Sequence, residues 1–115
     1  MAVSFACKHI EFAEIIKCSF DLNKTEYNLL LFLINSKREL DIKEISEKLS
    51  LDRSTIQKAM KLLTQKDLVK RIQTNLENGG YVFFYIVKNK QEIKSKILQS
   101  VDNWHNSVKK LIINW

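Results

Sequence analysis

The chain contains no proline, and its only two glycines are neighbours, Gly79 and Gly80. With so few residues that break regular structure, there is little room for long irregular linkers, and the glycine pair marks where a tight turn forms most easily. On either side of it, "LVKRIQ" and "YVFFYIV" are rich in β-branched and aromatic residues. That composition predicts two strands joined as a hairpin, with "NLENGG" at the tip.

The remaining segments read at the helical period. From Ser4 to about Ser19, Phe5, Phe12 and Ile16 fall with Phe20 in a narrow arc at 3.6 residues per turn, which predicts an amphipathic N-terminal helix within residues 1–20. Asn23 and Glu26 form a capping-box pair that opens "TEYNLLLFLINSK", a helix apolar on most sides. "RELD" turns the chain, and Asp41 with Glu44 repeats the pair ahead of "IKEISEKL", whose Ile42, Ile45 and Leu49 make one stripe. Asp52 is placed to cap a helix running to about Gln65, and Asn89 with Glu92 to open a long one from Lys90 to about Asn114. The predicted fold is mainly α with a small β-hairpin. It is one domain over 1–115: an N-terminal helix at 1–20, a central unit at 22–88 and a C-terminal helix at 89–115.

A hydrophobic content of 45% in 115 residues suits one modest core. No apolar run approaches the length of a membrane span, and the N-terminus lacks the features of a secretory signal, so the sequence reads as intracellular and cytoplasmic. The net charge of +6 is unevenly placed. Residues 1–40 balance, whereas 52–73 set Arg53, Lys58, Lys61, Lys66, Lys70 and Arg71 against Asp52 and Asp67, a net +4. A polyanion fits such a patch, because each neutralised phosphate releases condensed counterions.

The helix from 53 to 65 shows how the charge would be used. At about 100° per residue, Ile56, Ala59, Met60 and Leu63 converge on the core side. Arg53, Ser54, Gln57, Lys58 and Lys61 point the other way, offering guanidinium, hydroxyl, amide and ammonium groups that can bond base edges or phosphates. No acid follows Asp52 among them, whereas the preceding helix interleaves Lys43 and Lys48 with Glu44 and Glu47 as an ordinary solvent face does. A short helix, a tight turn and a second helix of this kind form a helix-turn-helix, which presents its second helix to the major groove.

"LSLDRST" leading into that helix and "KDLV" leaving it resemble the winged helix-turn-helix of the MarR-like regulators and of the TrmB-like regulators of archaea, where a Gly-Leu-Val run stands at the exit. The resemblance spans about Leu22 to Val87, and the flanking helices agree in placement. It implies a transcriptional regulator that binds double-stranded DNA as a homodimer, with Arg53, Ser54, Thr55, Gln57, Lys58 and Lys61 on or beside the DNA-facing side. Thr55 falls off the polar arc derived above, and its hydroxyl is at least as well suited to bonding local backbone near the helix start. Lys70 and Arg71, just beyond the helix, complete the candidate DNA-binding set. Asp67 stands where the family has glycine, a substitution that aspartate tolerates in left-handed backbone. Family wings carry a base near the tip; here the tip holds Glu77 instead, leaving the amides of Gly79 and Gly80 as the groups that could meet a phosphate.

Ile97, Val101, Trp104, Val108, Leu111 and Trp115 recur at spacings of 4, 3, 4, 3 and 4, a heptad seam. With Phe5, Phe12 and Ile16 of the N-terminal helix they are the candidate dimerisation residues. Cys7 and Cys18 would lie about 16 Å apart along that helix and His9 on its far side, so the three do not converge on a metal. No catalytic set, cofactor motif or effector pocket is marked by any residue, and the reading is of a non-enzyme. Two other readings remain: a winged-helix module that docks on proteins, and an architectural protein that binds DNA without sequence preference.

Overall fold

The computed structural model describes residues 1–115. Its elements run β1 (Ala2–Phe5), β2 (Lys8–Glu11), α1 (Phe12–Phe20), α2 (Lys24–Ser36), β3 (Leu40–Asp41), α3 (Ile42–Leu49), α4 (Arg53–Gln65), β4 (Val69–Asn75), β5 (Tyr81–Val87) and α5 (Lys90–Ile113). The mainly α architecture with a small hairpin is the one the sequence predicts, and β5 lies between β3 and β4 in an antiparallel sheet.

Side-chain caps set most helix starts. Asn23 Oδ1 accepts from the Glu26 amide at 2.8 Å, and Glu26 Oε1 accepts from the Asn23 amide at 3.1 Å; Asp41 and Glu44 reciprocate in the same way at the head of α3. At α5 the cap holds but its partner differs, since Asn89 Oδ1 accepts from the Gln91 amide and Glu92 does not reach back. Helix exits show the consequence of scarce glycine. Asp21, Lys37, Ser50 and Asp67 all take left-handed backbone, with φ between 54° and 60°, each at a cost of about 1 kcal/mol that is smallest for aspartate.

The core lies where three helices meet the base of the sheet. Leu29, Leu30 and Leu33 of α2, Ile45 of α3, and Ile56, Ala59, Met60 and Leu63 of α4 are buried together with Leu40, Leu68, Val69 and Tyr85. Ile42 and Leu49 pack against this cluster beside Ile45, as the α3 stripe predicts. The stretch expected only to turn at "RELD" also supplies β3, where Leu40 pairs with Tyr85 and is itself buried.

The N-terminus departs from the expected helix over 1–20. Residues 2–11 form a hairpin in which Val3 pairs with Ile10, Ser4 with His9 and Phe5 with Lys8, and only Phe12–Phe20 is helical. Alternation along β1 puts Val3 and Phe5 on one face, while across the other Ser4 Oγ meets His9 Nδ1 at 3.2 Å and His9 Nε2 meets Glu11 at 3.3 Å. The cross-strand contact of Ser4 with His9 and the amide bond from Phe12 to the Met1 carbonyl are available only to the hairpin. Phe5 therefore leaves the arc it was expected to share with Phe12 and Ile16. Cys7 moves to the hairpin turn, so the helical geometry relating it to Cys18 and His9 no longer applies; both thiols are exposed and unpaired.

Helix α5 begins in the body and leaves it. Ile93 is buried and Ile97 packs on the core, but nearly every residue beyond them is exposed. The molecule accordingly measures 65 × 23 × 22 Å with a radius of gyration of 17.5 Å, against about 13 Å for a compact chain of this length.

Candidate nucleic-acid interface

The α3–turn–α4 unit is fixed at both ends of its turn. Ser50 takes the left-handed backbone after α3, and the amide of Leu51 donates to the Ser46 carbonyl at 3.3 Å. Asp52 then caps α4, accepting from the Thr55 amide at 3.3 Å and from the Thr55 hydroxyl. That settles the position of Thr55, which is half-buried and turned to its cap, its partner being a side chain rather than backbone. The hydroxyl bond from Thr55 is the main reason the Asp52 carboxyl titrates below its ordinary value. An ionised carboxylate thus already occupies the positive pole of α4, and a phosphate near Arg53 and Ser54 has to approach past it.

Ile56, Ala59, Met60 and Leu63 are buried, and Arg53, Ser54, Gln57, Lys58 and Lys61 are all exposed. None of the three basic groups in that row has an ion-pair partner. Lys66 does not belong with them, because its Nζ donates to the Asp21 carbonyl at 2.6 Å and lies 4.0 Å from the buried Glu26, tying the end of α4 to the α1–α2 junction. The basic excess counted along the chain is therefore divided between an outward row on α4 and an inward tie.

Asp67 makes the corner between α4 and the wing. Its φ is 60°, and its carboxylate receives Lys96 at 2.9 Å and Lys88 at 3.1 Å, joining the corner to α5 and to the end of β5. The bonds from Lys96 and then Lys88 hold its carboxyl below the ordinary range.

In the wing, Lys70 pairs with Ile86 and Arg71 with Tyr85. Adjacent strand residues point to opposite faces, so these two bases do not add to one patch. The Arg71 guanidinium lies 4.2 Å from the centroid of the Phe83 ring, and Tyr81 follows at 5.2 Å from Phe83. The charge count could not reveal that stack; strand alternation with the register set by the glycine turn could have. At the tip, Gly79 and Gly80 have φ of 88° and 77°. The Gly79 amide donates to the Leu76 carbonyl at 3.2 Å, and so is not the free phosphate donor the sequence suggested.

Known proteins resemble the chain over most of its length. The family "Sugar-specific transcriptional regulator TrmB" matches residues 16–97. The uncharacterized protein MJ1503 of Methanocaldococcus jannaschii is 29% identical over 106 residues, covering 92% of this chain and 80% of that protein. Among solved structures, a possible transcriptional regulator from Methanosarcina mazei Go1 is 33% identical and superposes with a TM-score of 0.93, covering 100% of this chain and 97% of the other. A mutant MepR of S. aureus, bound to an oligodeoxyribonucleotide, shares the fold at 14% identity and a TM-score of 0.57, over 89% of this chain and 71% of its own.

Proposed function

This chain belongs to the TrmB family of transcriptional regulators, and from that premise we propose that it is a sequence-specific regulator that binds double-stranded DNA as a homodimer. The observation that carries the reading is the exposed row on α4, in which Arg53, Ser54, Gln57, Lys58 and Lys61 face solvent with no acid among them. Gln57 and Lys61, one turn apart, reach base edges in the major groove, and Arg53 with Lys58 reaches phosphates. Ser54 adds a hydroxyl donor at the backbone, and of the two wing bases Arg71 flanks the site while Lys70 lies on the opposite strand face.

The dimer is inferred from α5. Trp104 is 64% exposed and Leu111 74%, and Trp115 lies wholly in solvent. Such a row of apolar side chains is covered in a second copy, with Val101 and Val108 completing the seam, while Ile97 at its start packs on the chain's own core. Phe12 of α1 and Phe5, which lies in the hairpin rather than in a helix, are exposed and join the proposed interface, whereas Ile16 packs on the chain's own core. No helix is long and apolar enough to cross a membrane, and a regulator of chromosomal DNA works in the cytoplasm.

Electrophoretic mobility shift at fixed salt, comparing random duplex with sequences enriched by selection on the protein, tests the reading. A regulator prefers the selected duplex by a factor of about a thousand or more. Equal affinity for both indicates an architectural protein, and negligible affinity for either a protein-docking module.

A further inference from the structure

We propose that the wing meets DNA with one of its faces rather than with its tip, and that Phe83 positions Arg71 there as the phosphate-binding group. The proposal rests on α4 docking in the major groove and adds a second surface to it.

Strand register separates the wing into two unlike faces. Val69, Arg71, Gln73 and Asn75 share a face with Val87, Tyr85, Phe83 and Tyr81; Lys70, Ile72 and Thr74 share the other with Ile86, Phe84 and Val82. At its base the first face enters the helical core, since Val69 and Tyr85 are buried in one cluster with Met60 and Leu63 of α4. Its outer half extends beyond the helices from that same face. What it displays there is a guanidinium, two carboxamides, a phenol 58% exposed and an aromatic ring, with no carboxylate. The opposite face is mostly apolar, with Ile72, Val82, Phe84 and Ile86, and carries a single base, Lys70.

The stack gives this face its polarity and its rigidity. With the Arg71 carbon 4.2 Å from the Phe83 centroid, the guanidinium is held by its attraction to the ring while N–H groups at its edge stay free for a phosphate. Tyr81, inclined at 59° to Phe83, extends the surface toward the tip. Holding the guanidinium before binding lowers the entropy cost of ordering it on DNA. At the tip itself, Glu77 would repel the same phosphates.

Fluorescence anisotropy with a long mixed-sequence duplex at low salt tests this, with thermal unfolding as a check on the fold. Arg71→Ala is expected to lower the slope of log affinity against log salt by about 0.9. Arg71→Lys is expected to keep the slope but lose affinity about threefold, as the planar contact is lost. Phe83→Leu should cost a similar factor when Arg71 is present and nothing further in the Arg71→Ala background, and Phe83→Tyr should restore wild-type affinity. An equal loss from Phe83→Leu in both backgrounds makes Phe83 merely structural and overturns the proposal. Should Arg71→Ala bind like wild type while Lys58→Ala loses affinity, the wing face fails and α4 docking stands. If neither change matters, both readings fail.

Discussion

Asp67 combines the left-handed backbone that ends α4 with two lysine contacts, and its titration makes that corner sensitive to acid. Lys96 and Lys88 hold its carboxyl below the ordinary 3.8, whereas the unfolded chain keeps the ordinary value. Between the two values the unfolded state binds more protons, so the contribution is present above about pH 4 and fades as pH falls through the folded value. Asp67→Asn is thus expected to lower the thermal midpoint at neutral pH, with the gap to wild type closing below pH 4; a gap that stays constant from neutral to acid would separate the corner's stability from the carboxylate. On α4 the side chains divide by role. Gln57→Ala or Lys61→Ala should reduce preference among sequences by about 1–3 kcal/mol at the affected base pair. Lys58→Ala should weaken all sequences alike and lower the salt slope by about 0.9. Competition binding with single-base variants of a selected duplex separates these effects, and a uniform loss from Gln57→Ala would remove it from base contact.

Among the elements, those with local signals were legible in the sequence. Capping residues at Asn23, Asp41 and Asp52 lie within one turn of the helices they start, and the glycine pair announces the wing turn. The N-terminal hairpin escaped because its turn at Ala6 and Cys7 carries no glycine, asparagine or aspartate, and because Phe5, Phe12, Ile16 and Phe20 happen to fit a helical arc. Its decisive contacts join Ser4 to His9 and Met1 to Phe12, pairings that the helical period does not test. The candidate site shows the same division: the outward row on α4 follows from periodicity alone, while the use of Lys66 as a tie and the Arg71–Phe83 stack depend on distant partners. For the wing this yields a comparison of tip and face. Glu77→Gln is expected to strengthen duplex binding at low salt, but by a smaller factor than Arg71→Ala weakens it. A larger gain from Glu77→Gln would put the tip, not the face, against the phosphates.

At the scale of the molecule, the outer two-thirds of α5 is a helix that its own chain leaves almost bare. An isolated helix of that length is marginal in water, and this one carries Trp104, Leu111 and Trp115 along the seam with no cover. Pairing with a second copy would cover the exposed row together with the apolar face of the N-terminal hairpin, where Phe5 is 71% exposed; a stable association buries roughly 800 Å² per partner. Two α4 helices would then be carried at a fixed separation, and a spacing of about 34 Å matches half-sites one helical turn apart. Val108→Asp places a charge in the middle of the seam, outside the α4 row and the buried core. It is therefore expected to leave the folded body and its thermal transition intact, to sediment as a monomer in analytical ultracentrifugation, and to bind a single half-site far more weakly than the unmodified protein binds two. If the unmodified protein already sediments as a monomer at micromolar concentration, α5 has another partner and the paired half-sites go with the dimer. If Val108→Asp remains dimeric, the copies meet elsewhere and the separation of the two α4 helices has to be derived from that other interface.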